Sequence, residues 1–164
     1  MNELLQNLVE SLREELKQYG ELLALLELQQ HQVVHRLADP LLETVSALNT
    51  QSDTIRVARN EREQRQRDLA LSMDLPPDAK FAELIPRLPA NCQPLVKALV
   101  EENNHLLTGV KQRARQNHLL LRRSLELMER FLHAICAAGA PTYNDAGAMT
   151  PPAAPGRPLY EGVG

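Results

Sequence analysis

From Val96 to Ile135 the chain repeats in four–three steps: Val96, Val100, Asn103, Leu107, Val110, Ala114, Asn117, Leu121, Ser124, Met128, Phe131 and Ile135. That spacing is one face of a long α-helix sustained over about five heptads. Beside it lies a second row at seven-residue steps, Leu99, Leu106, Leu120 and Leu127. Two adjacent apolar rows give a helix more surface to hide than one partner helix covers. Asn103, Asn117 and Ser124 make the seam locally polar, and such residues lower stability while fixing register or partner choice. The pattern fits either the seam of a helical hairpin alone or a division in which one row serves the protein itself and the other serves a partner.

An earlier stretch carries the same period. Leu5, Val9, Leu12, Leu16, Tyr19, Leu23, Leu26, Val33 and Leu37 predict a helix over 2–37, interrupted only at Gln30, with Asn2 as its cap. Asp39-Pro40 punctuates the chain and opens a second helix over 39–73. Its stripe of Leu41, Val45, Leu48 and Ile55 fades before the mixed-charge run Arg56 to Asp68. That run reads as a solvated helix face laced with i,i+4 pairs rather than as a basic patch for an acidic partner. Pro76, Pro77, Pro86 and Pro89 make 74–90 an irregular spacer, with at most a short turn at Phe81–Ile85. A third helix over 91–138 is capped by Asn91, admits Pro94 in its first turn and closes at Gly139. The fold expected is all-α: an elongated antiparallel helical hairpin or bundle of three long helices forming a domain over 1–138. The tail 139–164 is rich in Ala, Gly and Pro and has no periodic apolar face, so it is expected to be disordered when free.

Composition narrows the functional classes. Hydrophobic residues make up 43% of the 164, but aromatics only 3%, with no Trp, which suits helices packed through Leu. A net charge of −3 gives no general attraction to nucleic acid or anionic lipid. Cys92 and Cys136 stand alone, no apolar run is long enough to span a bilayer, and Met1 leads straight into helical periodicity. These features point to a cytoplasmic chain with no stable membrane insertion. Glu27, His31 and His35 share a helix face at i, i+4, i+8. Two histidines at that spacing can share Zn²⁺, yet the sequence between them lacks the glutamate of a zinc hydrolase, and the row reads as polar surface. No phosphate loop, nucleophile elbow or paired-cysteine site is present. The chain reads as a binder with no cofactor, not as an enzyme.

The run Asn103-Asn104-His105-Leu106-Leu107, followed by Asn117 and the step Leu121 to Leu125, resembles the third-helix signature of the FlgN family of flagellar export chaperones. Thr142-Tyr143-Asn144-Asp145-Ala146-Gly147 is similar to that family's Tyr-x-x-x-Gly segment, and Ala38-Asp39 with Leu42, Val45 and Leu48 resembles its first break. The resemblance implies a cytoplasmic chaperone for the hook–filament junction (hook-associated) proteins. Such a chaperone holds the client's C-terminal helical segment and delivers it to the type III export gate. Carried onto this chain, the client-binding residues are Asn103, Leu106, Leu107, Asn117, Leu121 and Leu125, to which the apolar stripe adds Val110 and Met128. Tyr143 and Gly147 correspond to the segment that contacts the gate. A chaperone of this kind is expected to be a monomer or weak dimer when free.

The alternative is a structural coiled-coil protein that uses both rows for self-association and has no export role. It predicts a stable homo-oligomer. The export reading predicts instead a groove that receives a client helix through i, i+3, i+4, i+7 anchors.

Overall fold

The computed structural model describes residues 2–137, and these are helical with no strand. Helix α1 is Asn2–Val34, α2 is Ala38–Ser72, α3 is the single turn Phe81–Leu84 running into a 3-10 turn at Ile85–Arg87, and α4 is Gln93–Ala137. The tail, Tyr143 and Gly147 included, lies outside the described residues, as does the expected closure at Gly139. The chain divides into two compact units, one ending at Leu120 and one beginning at Leu121.

The ends of α1 and α2 repeat one geometry. The Leu37 amide donates to the Gln32 carbonyl and the Arg36 amide to that of Val33, while Arg36 turns left-handed at φ 56°. At the end of α2 the Leu75 amide reaches the Ala70 carbonyl, the Asp74 amide reaches that of Leu71, and Asp74 also sits at φ 56°. Both are Schellman closures without the usual glycine. This is why α1 closes at Val34, ahead of the Leu37 that periodicity reaches. Asp39 falls inside the first turn of α2 instead of capping it, because Leu37 holds the N-cap position with no side-chain bond. Likewise the carbonyl of Cys92, not a side-chain cap from Asn91, accepts the first amide bond of α4 from Val96.

The core of the first unit joins Leu5, Leu8, Val9 and Leu12 of α1 to Leu69 of α2, Leu88 after the 3-10 turn, and Val96 and Leu99 of α4. The proline-rich spacer belongs to this core: Phe81 and Ile85 pack against it, and Leu84 joins Ala70 and Ala79 in a second cluster. Gln66 of α2 fastens the spacer by donating to the Ala79 carbonyl at 2.8 Å. Helix α2 is otherwise thinly buried, through Thr44, Ala58, Leu69 and Ala70.

Bonds between helices set direction. Gln51 of α2 donates to the Gln18 carbonyl and side chain of α1, and Arg62 of α2 meets Glu15. Numbers fall along α1 as they rise along α2, so this pair is antiparallel. Asn103 of α4 donates to the Leu12 carbonyl of α1, and Asn117 to that of Leu26, each across 91 residues. Numbers rise together on both helices, so over this stretch α4 runs parallel to α1.

Candidate binding helix and its relatives

Helix α4 carries every binding position that was expected within the described residues, and the structure sorts them into two kinds. Asn103 and Asn117 are buried, at 7% and 2% exposure. The Asn103 amide donates to the carbonyls of Leu12 and Leu99, both at 3.0 Å. The Asn117 amide donates to the Leu26 carbonyl at 2.6 Å and to Gln29 Oε1 at 2.9 Å. Two asparagines two heptads apart thus grip α1 at matching levels and fix the register of the parallel pair. Their Oδ1 atoms are buried without a partner among the described residues. Val110 is buried too, and Leu106 and Leu107 are half-buried. All five lie in the first unit, where the seam is occupied by the chain itself.

In the second unit the same period meets water. Leu121 is half-buried, and every residue from Arg122 to Ile135 is exposed. Leu125 keeps 58% of its surface accessible, Met128 60%, Phe131 65%, Leu132 54% and Ile135 52%. At 100° per residue Leu121, Leu125, Met128, Leu132 and Ile135 fall along one line of the helix, with Phe131 and Leu127 forming its second row. Phe131 and Ile135 were already on the sequence stripe. Leu132 joins them only once its exposure is known, since periodicity alone does not distinguish a covered row from a bare one.

The polar interior of the first unit is committed to itself. Arg62 donates through Nε to Glu15 at 3.0 Å and through a terminal nitrogen to Gln66 at 2.9 Å, and lies 5.9 Å from the centre of the Phe81 ring. Tyr19 donates to the other oxygen of Glu15 at 3.0 Å. Burial, the Glu15 charge and this hydrogen bond push the Tyr19 phenol up to about 12. A cleft of about 280 Å³ opens beside these groups, between Leu12, Val100 and Phe81. Its carboxylate, phenol and buried guanidinium pair with one another. Farther along, Arg113 of α4 bonds to Gln30 and lies 3.4 Å from Glu27 of α1.

The remaining candidates resolve as surface. His31 and His35 stack with ring centres 4.0 Å apart, and His35 Nδ1 bonds to the His31 carbonyl at 2.8 Å. The rings lie face to face instead of converging on one point. Among the described residues no His, Cys, Asp or Glu cluster is placed to hold a metal. In the mixed-charge run Arg56 pairs with Asp53 and Arg59 with Glu63, while Arg62 turns inward. No described helix is long and apolar enough to cross a membrane.

These features define an all-helical protein whose first unit closes on itself and whose last helix keeps an apolar stripe in water. The family model described as FlgN protein matches residues 1–151. The chain belongs to the FlgN family, a chaperone family of flagellum biogenesis. No curated protein and no solved structure matches it.

Proposed function

We propose that this chain is a cytoplasmic export chaperone that holds hook–filament junction proteins by their C-terminal helical segment and delivers them to the type III export gate. The observation that carries this reading is the exposed apolar stripe from Leu121 to Ile135. A surface of core composition left in water is the usual mark of a docking site, and an amphipathic client helix is its natural complement. Leu121, Leu125 and Met128 of the expected site then touch the client, joined by Phe131, Leu132 and Ile135. Asn103, Val110 and Asn117 support the helix by locking it to α1, and Leu106 and Leu107 stand between the two roles. Tyr143 and Gly147 keep their proposed part at the gate. Release comes through competition or gate contact, because the chain offers no nucleotide loop.

The test is light scattering coupled to gel filtration, on the protein alone and with the C-terminal segment of a hook–filament junction protein from the same bacterium. A monomer or weak dimer that shifts to a stoichiometric complex is expected. A stable homo-oligomer indifferent to the segment would refute the proposal, because the stripe would then be filled by self-association.

A further inference from the structure

The two borders of the apolar stripe differ in charge. On the Leu125 side stand Arg122 and Glu129, and Arg122 is tied to Glu126 at 3.2 Å. On the Leu127 side stand Arg123 and Arg130, seven residues apart and therefore on one edge of the helix, roughly 10 Å from each other. Both are exposed, and among the described residues neither makes an ion pair. From Leu121 to Ile135 the sequence carries Arg122, Arg123 and Arg130 against Glu126 and Glu129, in a chain whose net charge is −3. The charge at the docking helix is thus opposite in sign to that of the whole.

We infer that the helix received by this stripe is acidic along one edge, with carboxylates at seven-residue spacing that pair with Arg123 and Arg130. The inference rests on the client reading and adds the chemistry by which the client is chosen and oriented. Apolar anchors fill the stripe from Leu121 to Ile135 but accept a helix in either direction. Two arginines on one border favour the orientation that brings acids beside them, and complementary charge acts mainly on specificity and encounter. A second copy of this helix is a poorer occupant, because antiparallel pairing sets Arg123 and Arg130 against their own counterparts.

The experiment is calorimetric titration of the full chain with the C-terminal segment of the hook–filament junction protein, comparing wild type with the double variant Arg123→Glu/Arg130→Glu. About a tenfold or larger loss of affinity is expected at low salt, shrinking at about 0.5 M salt as screening erases the pairs. Exchange of the segment's acids on one edge for lysine should restore binding to the double variant. The control Lys111→Glu/Arg115→Glu makes the same charge change elsewhere on α4 and should bind as wild type does. If it loses as much affinity, net charge and not this border is responsible, and the inference fails. Wild-type affinity in the double variant, with binding still abolished by Leu125→Asp, overturns the acidic edge and leaves the client reading intact. A wild-type chain that does not bind the segment overturns both, and a homodimer dispersed by Leu125→Asp identifies a second copy as the occupant.

Discussion

Replacing Leu125 or Leu132 with Asp separates binding from folding. Each side chain already leaves more than half its surface in water, 58% and 54%. Full burial of a leucine is worth about 1.5–3 kcal/mol, so roughly 1–1.5 kcal/mol per residue is left for a client to gain. Aspartate forfeits that gain and places a carboxylate where the client's apolar face must lie, adding a further penalty of about 2 kcal/mol or more. The sum is about 3 kcal/mol, roughly a hundredfold in affinity. Folding should hardly notice. An exposed substitution changes stability by about 0.5 kcal/mol, and the poorer helix propensity of Asp adds about as much. A fall in melting temperature of about 2–4 °C is therefore expected. Titration calorimetry with the client's C-terminal segment reads the first effect and circular dichroism melts read the second. Leu8→Asp is the opposing control, since Leu8 is fully buried in the first unit and its replacement should unfold the chain. Wild-type affinity in both stripe variants would refute the reasoning, and so would a large loss of helicity.

Further outcomes follow from the interior. Asn103→Leu/Asn117→Leu removes four donated bonds of about 1 kcal/mol each, but also two unpartnered buried oxygens and the desolvation of two amides; melting should stay level or rise and client affinity should not change, whereas lost affinity in a folded variant would return the asparagines to the binding site. Arg62→Ala leaves Glu15 buried without its cation, and thermal melts should show a loss of about 3 kcal/mol, largely recovered in Glu15→Met/Arg62→Leu/Tyr19→Phe, which also removes the phenol that donates to Glu15. The Tyr19 phenol is raised above its ordinary 10 to about 12, so its neutral form is favoured in the folded state, and the associated stability is present below pH 10 and lost as pH rises to 12. Urea melts at those two pH values should show that component in wild type and not in Tyr19→Phe. Arg36→Gly and Asp74→Gly relieve left-handed backbone at φ 56° and should each stabilise by about 0.5–1 kcal/mol; a loss in either melt would assign its side chain a role at the turn.

Periodicity made α1 and α4 legible because each keeps a helical stripe for most of its length, and prolines marked where the chain turns. Helix α2 was harder to read, since it buries little beyond Leu69 and Ala70 and its central residues answer mainly to water. The spacer was read through its prolines. Yet Phe81, Leu84, Ile85 and Leu88 recur at steps of three, one and three, a helical spacing strong enough to have placed them in the core. Arg36 and Asp74 could not be found this way, because a left-handed closure without glycine leaves no mark in residue type.

The seam of α4 shows most clearly where sequence reasoning stops. Asn103 and Asn117 were recognisable as register residues, but their acceptors are the backbone carbonyls of Leu12 and Leu26. Every residue owns such a carbonyl, so sequence cannot say whether an internal helix or a client supplies it. The same holds for the apolar positions. Val96 and Val110 are buried while Phe131 keeps 65% of its surface accessible, although the three share one position of the seven-residue repeat. Helix propensity does not require Leu, Met, Phe and Ile on a bare surface, since Ala, Glu, Lys or Gln would hold the helix as well. A core-like stripe continued into water is therefore a composition that packing among the described residues leaves unexplained, and the proposed client helix would supply the missing half of the seam.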